Sequence, residues 1–176
     1  MSGTVVIKRA RSVPVDVKLL RQITNTLLNK LLALEKFELG VHLVRTAEMA
    51  RINEAFLNHQ GPTDVITFDH SDLVGDDVRS LKHQTKLEPP HVGSYDSLTG
   101  ELFICYDVAR TQAREFKATW PGELVRYVVH GVLHLQGFDD QRPADRRVMK
   151  REENRLLRAL VRRFPISKLA PRRKPS

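Results

Sequence analysis

The chain has a single cysteine, Cys105, so it cannot close a disulfide within itself. Cys105 ends the apolar run Leu102-Phe103-Ile104-Cys105 and reads as a small buried hydrophobe, not as a nucleophile. No apolar run approaches the ~20 residues of a membrane span, and the first residues lack the apolar stretch of a secretory signal. A cytoplasmic protein with no membrane association is therefore expected. Acidic residues are absent after Glu153, where eight basic ones follow: Arg155, Arg158, Arg162, Arg163, Lys168, Arg172, Arg173 and Lys174. The end of the chain, with Pro171 and Pro175, reads as a disordered basic tail. The expected organisation is one domain over residues 1–165 and a tail over 166–176. No internal repeat and no second domain is visible.

What is present is a hydrophobic share of 41% in 176 residues, enough for one compact core. The formal net charge is +8 and the pI is about 9.9. Such a balance favours an anionic partner, most simply a nucleic acid.

Residues 4–7 are β-branched and read as a strand. Apolar residues then recur at helical spacing (Val17, Leu20, Ile23, Leu27, Leu28, Leu31, Leu34), which predicts a helix over residues 16–36 capped by Asp16. Residues 41–44 read as a second strand, and Thr46 as the cap of a helix carrying Met49, Ile52, Phe56 and Leu57. Gly61-Pro62 breaks that helix before a third strand at residues 63–68. The polar stretch 69–99 is long for a loop and reads as an insertion or flap. Its Asp72, Asp76 and Asp77, and its His70, His83 and His91, are expected to face solvent. Residues 100–106 form a fourth strand, and Asp107 caps a helix reaching about residue 117. Pro121 suits the first turn of the next helix. Pro143 opens a last helix to Arg163, with Val148, Leu156, Leu157, Leu160 and Val161 as its apolar face. The order of strands and helices predicts an α/β domain with a small mixed four-stranded sheet.

The most informative stretch is His130-Gly131-Val132-Leu133-His134-Leu135-Gln136-Gly137-Phe138-Asp139-Asp140. Histidines four apart on a helix share one face, one turn apart, and can grip one metal ion. Gly137 stands where a helix often ends in a left-handed turn, so the chain can fold back and offer Asp140 as a third ligand. Zinc and similar divalent ions accept imidazole nitrogen and carboxylate oxygen. The spacing H-x3-H-x2-G-x2-D is metzincin-like, with Asp139 as the neighbouring alternative to Asp140. A zinc peptidase carries Glu immediately after the first His as its general base, and here that residue is Gly131. Arg126 precedes His130 by one turn on the same face. It suits either a phosphate at the cleft or a solvated helix surface. Thr63 and Asp64 suit either an active-site cleft or plain turn chemistry and strand capping.

These residues also carry a resemblance. HGVLHLQGFDD resembles the signature H-G-x-x-H-L-x-G-aromatic-D-H of the YbeY-type ribosomal RNA maturation factors. Gly61-Pro62-Thr63-Asp64-Val65-Ile66-Thr67-Phe68 is similar to that family's P-T-D-V-L/I-S-F segment, and Gly100-Glu101-Leu102-Phe103-Ile104-Cys105 to its G-D/E-L/I-x-I-x segment. The resemblance spans roughly residues 4–164. It implies a zinc-dependent, single-strand-specific endoribonuclease acting on ribosomal RNA in maturation and ribosome quality control, with ribosomal partners. It implies His130, His134 and Asp140 as ligands of one Zn2+. Two positions depart from the family pattern: Asp140 where His is usual, and Leu57 where an Arg suited to a phosphate is usual. Two other readings remain open. One is a metallopeptidase-like hydrolase. The other is a non-catalytic RNA- or ribosome-binding factor with a structural metal.

Overall fold

The computed structural model describes residues 2–71 and 97–171. Among them four strands, β1 (Ser2–Arg9), β2 (Lys36–Val44), β3 (Val65–Asp69) and β4 (Ser97–Cys105), form one sheet in the order β1-β2-β4-β3. β1, β2 and β4 run parallel, and β3 joins the edge of β4 antiparallel. Five helices complete the α/β domain: α1 (Val17–Thr26), α2 (Thr46–Leu57), α3 (Tyr106–Glu115), α4 (Trp120–Leu135) and α5 (Pro143–Arg163).

The period-2 alternation of the strands divides the sheet into two faces. Val5 and Ile7 of β1, Phe37, Leu39, Val41 and Leu43 of β2, and Leu98, Leu102 and Ile104 of β4 are buried on the face that α1 and α4 cover. On the opposite face α2 covers a smaller patch, where Met49 meets Val44, Ile66 and Cys105. Cys105 is buried, as its apolar context predicts, and burial pushes its thiol pKa up.

Several expectations give way to tertiary structure. The predicted helix over 16–36 is α-helical only to Thr26. It widens into one π-type turn, Leu27–Leu31, and the chain reverses at Ala33 with φ +53°. Lys36 already belongs to β2, which pairs with β1 on one side and β4 on the other. Two ladders of backbone hydrogen bonds outweigh the local preference of a leucine-rich segment. Asp107 does not cap α3. Its Oδ2 accepts from the backbone N–H (3.0 Å) and Oγ1 (3.0 Å) of Thr46 and from Nε of Arg45 (2.8 Å), so it satisfies the start of α2 instead. Burial would raise its carboxyl pKa, and these bonds outweigh burial and lower it.

The buried stripe of α5 is Met149, Glu153, Leu156 and Leu160, at helical spacing; Val148 and Val161, expected on it, are exposed. Ile166–Leu169 forms a 3-10 turn and Leu169 is fully buried, so part of the expected basic tail packs onto the domain. Residues 172–176 lie outside the described residues, as does most of the expected flap, with Asp72, Asp76, Asp77, His83 and His91. His70, expected to be a free surface histidine, has a partner: its Nε2 is 3.4 Å from Glu101 Oε2, and His42 Nε2 is 2.8 Å from Glu101 Oε1.

Candidate metal centre

The centre is built on α4. Thr119 caps this helix by accepting from Gly122 N–H at 3.3 Å, and Pro121 sits in its first turn. Most of its residues are buried between the sheet and its neighbours. Gly131 explains how α4 lies so near the sheet. A Cβ there would stand 2.7 Å from Leu102 Cδ2 and 3.3 Å from Val65 Cγ2. Gly100 of β4 plays the matching part, since its Cβ would meet the Phe68 carbonyl oxygen at 2.6 Å and Leu135 at 3.0 Å. The position that holds the general base in a zinc peptidase therefore faces the sheet, not the cleft. Gly131→Ala is expected to destabilise the protein. Overpacking costs about 1–3 kcal/mol, against about 1 kcal/mol gained from helix propensity. Thermal unfolding checks this, and a melting temperature above that of the parent protein would contradict the packing account.

The helix ends in a Schellman turn. Gly137 takes φ +84°, its N–H donates to the His134 carbonyl at 2.9 Å, and Phe138 N–H donates to the Leu133 carbonyl at 3.0 Å. The reversal brings the Phe138 carbonyl to 3.0 Å from His134 Nδ1. A carbonyl only accepts, so Nδ1 carries the proton and Nε2 presents its lone pair. On His130 the same tautomer follows from Glu153, whose Oε2 lies 3.1 Å from Nδ1. The two Nε2 atoms face each other at 3.0 Å. Two acceptor lone pairs aimed at one point do not satisfy each other; a divalent cation satisfies both.

Beyond the turn, Asp140 Oδ2 stands 3.9 Å from His130 Nε2. One ligand atom from each of His130, His134 and Asp140 lies within 4.8 Å of the others. Donors about 2.1 Å from a tetrahedral zinc ion would be about 3.4 Å apart. The separations of 3.0 and 3.9 Å bracket that distance, and all three donors lie within 4.8 Å of one another, so modest side-chain movements bring the donor set onto such an ion. Asp139 is exposed, and its Oδ1 accepts from Gln141 N–H at 3.0 Å, closing a local turn.

Glu153 is the residue that sequence reasoning missed. It is 3% exposed, and besides His130 it binds Arg126 Nη1 (2.5 Å) and Lys150 Nζ (2.7 Å). Burial alone would raise its pKa; the bonds from His130, Lys150 and Arg126 outweigh burial and bring it to about 2. A signal was present: Glu153 is the one acid in the row Met149, Leu156, Leu160 at helical spacing. A cleft of about 700 Å³ opens beside the donors, with Asp64, Arg126, Tyr127, His130, Asp140 and Arg146 among its lining residues.

The three segments that carry the resemblance thus meet in space: β3 pairs with β4, and α4 packs against both through Gly131, with Asp64, His130 and Asp140 at the cleft. The family model described as "Endoribonuclease YbeY" matches residues 7–161. The chain belongs to the YbeY family. It is 37% identical over 112 residues to an "Endoribonuclease YbeY" of Chlorobium luteolum, covering 64% of this chain and 66% of the relative. It is 34% identical over 125 residues to one of Elusimicrobium minutum, covering 71% and 76%. Against the first two such relatives the match spans 66% and 64% of their length. The solution structure of TM1509 from Thermotoga maritima has the same fold, with a TM-score of 0.59 at 23% identity over 97% of this chain and 100% of that one.

Of the other candidate residues, Asp64 fills both of its expected roles. Its Oδ1 accepts from Thr63 Oγ1 (3.1 Å) and Val65 N–H (2.9 Å), a turn and strand cap, and the residue lines the cleft. Arg126 is neither free nor solvated at large: it is tied to Glu153, and its Nε is 3.5 Å from Glu123 Oε1. Leu57, at the family's usual Arg position, ends α2 with 47% exposure and is not among the cleft-lining residues.

Proposed function

We propose that this protein is a metal-dependent endoribonuclease that cuts single-stranded RNA, with one zinc ion held by His130, His134 and Asp140. Its setting would be ribosomal RNA maturation and ribosome quality control in the cytoplasm, with the ribosome as partner. The observation that carries this reading is the convergence of two Nε2 lone pairs and a carboxylate at the mouth of a cleft, in a chain of the YbeY family. A bound zinc ion would supply Lewis-acid polarisation of a phosphoryl oxygen and a water of lowered pKa. The chain's own part is to fix the donors. The Phe138 carbonyl and the Glu153 carboxylate hold the two imidazoles in the ligand tautomer, and Arg126 and Lys150 hold Glu153. The net charge of +8 favours RNA in the cleft. The catalytic domain is proposed to run through Leu169, the last buried side chain among the described residues, with Arg172, Arg173 and Lys174 following as a basic tail. No helix of the described residues is long and apolar enough to cross a membrane.

The alternatives fare less well. A peptidase needs an acid beside the first ligand, and position 131 faces Leu102 and Val65. A structural metal sits in a closed set of four protein ligands, whereas three ligand residues are found together among the described residues, beside an open cleft.

The test is cleavage of a labelled single-stranded RNA by the purified protein at pH 7, before and after chelation, with zinc added back. Activity lost on chelation and restored by zinc is expected, together with binding that weakens steeply as salt rises. Cleavage that survives chelation and the His130→Ala and His134→Ala changes would overturn the proposal.

A further inference from the structure

Three cations line the cleft: Arg126, Arg146 and Lys150. Two of them are already engaged. Arg126 donates to Glu153 Oε1 at 2.5 Å and to Asn154 Oδ1 at 3.4 Å, with Glu123 at 3.5 Å; Lys150 Nζ donates to Glu153 Oε1 at 2.7 Å. Their charges offset a buried carboxylate and are poorly available to a substrate. Arg146 differs. Its Nε donates to the backbone carbonyl of Asp140 at 2.9 Å, and among the described residues it has no carboxylate partner. It is exposed at the cleft wall, one turn into α5. The Nε bond anchors the guanidinium to the residue that offers the third metal donor. Among the described residues both terminal nitrogens are without a hydrogen-bond partner, and a planar guanidinium grips phosphate through two parallel bonds.

We propose that Arg146 is the cation that takes a backbone phosphate of the RNA strand beside the metal centre. This rests on the proposed endoribonuclease function and deepens it, by naming the residue that positions the substrate. A side chain that binds the strand equally in ground and transition states acts mainly on KM. Arg146 is anchored through a main-chain carbonyl, so its removal leaves the Asp140 carboxylate in place.

The test compares the zinc-loaded parent protein with Arg146→Gln, Arg146→Lys and Arg147→Gln. Arg147 is exposed and does not line the cleft, so its variant controls for the loss of one charge from α5. Affinity for a single-stranded 2′-O-methyl RNA, cleavage kinetics on the unmodified RNA, and zinc affinity under a competing chelator are measured on each. Arg146→Gln is expected to weaken RNA binding and raise KM by about 10- to 100-fold, the range for a charge-assisted contact. It should leave kcat within a few-fold and zinc affinity unchanged. The slope of log affinity against log salt should fall by about 0.7, the value for one phosphate of a single strand. Arg146→Lys should recover part of the loss, and Arg147→Gln should stay close to the parent. Unchanged KM and RNA affinity in Arg146→Gln, with a parent that binds and cleaves normally, overturn this inference alone. A parallel loss of zinc overturns it too, since Arg146 would then act only by holding the Asp140 loop. A parent that neither binds nor cleaves RNA overturns the endoribonuclease reading together with it.

Discussion

Asp140→Ala is expected to lower zinc affinity by more than about 100-fold, while Asp139→Ala leaves it within a few-fold. Residues one layer outside a metal are worth about 10–100-fold in affinity, so a donor itself exceeds that. Asp140 stands with its carboxylate 3.9 Å from His130 Nε2, whereas Asp139 turns its carboxylate to the Gln141 N–H and is exposed. Neighbouring residues in an extended segment point opposite ways, so one register excludes the other. Asp140→His should retain or tighten zinc, because an imidazole nitrogen is a zinc donor as competent as a carboxylate oxygen. The measurement is zinc titration against a competing chelator. Equal losses at both aspartates, or a loss at Asp139 alone, would show that the ligand register is wrong.

Glu153→Gln has the second large effect, and it divides into two readouts. Zinc affinity should fall by about 10–100-fold, the range for a carboxylate that orients a ligating imidazole. The amide can present a donor to His130 Nδ1 and so no longer dictates the tautomer that leaves Nε2 free. Stability should fall as well. The bonds from Arg126 and Lys150 lose their charged acceptor, and a hydrogen bond to a charged group contributes about 1.5–3 kcal/mol. The two cations retain water, with side-chain exposures of 27% and 54%, which keeps the cost toward the lower end of that range. Denaturant unfolding of the metal-free protein isolates the stability part, and zinc titration the other. If Glu153→Gln binds zinc as the parent does, Glu153 is a structural anchor for Arg126 and Lys150 and nothing more.

Both predictions show where the chain's information lies. The donor triad falls within eleven consecutive residues, from His130 to Asp140. The helical repeat fixes the His pair on one face, and a glycine at φ +84° supplies the reversal, so local rules suffice to bring these side chains together. The mixed α/β sheet was legible for a similar reason: strands that alternate, separated by helical spacing, announce themselves. The end of the expected helix, residues 32–36, misled because helical spacing there competes with the reversal at Ala33 and the start of β2 at Lys36. Two flanking ladders decide that contest, and their partner strands begin at residues 2 and 97.

By itself, then, the sequence determined the family, through its motifs, and the class of fold and the eleven-residue stretch of the candidate metal centre, because the last two depend on spacing within a few turns of chain. Tertiary structure alone decided the rest. Gly131 has no room for a peptidase base because Leu102, 29 positions away, packs against it. Asp107 serves the start of α2 because that helix begins next to it in space. Glu153 reaches His130 across 23 positions because α5 crosses α4 with its one buried acid at the contact. Arg126 and Lys150 are drawn to that acid, while Arg146, one turn before Lys150 on α5, donates to the Asp140 carbonyl. Periodicity marks Glu153 as the acid in an apolar row, but it names none of the partners these residues meet. Each pairing is made by which surfaces meet when the helices pack on the sheet and on one another, and a buried charge is tolerable only where that packing supplies its partners.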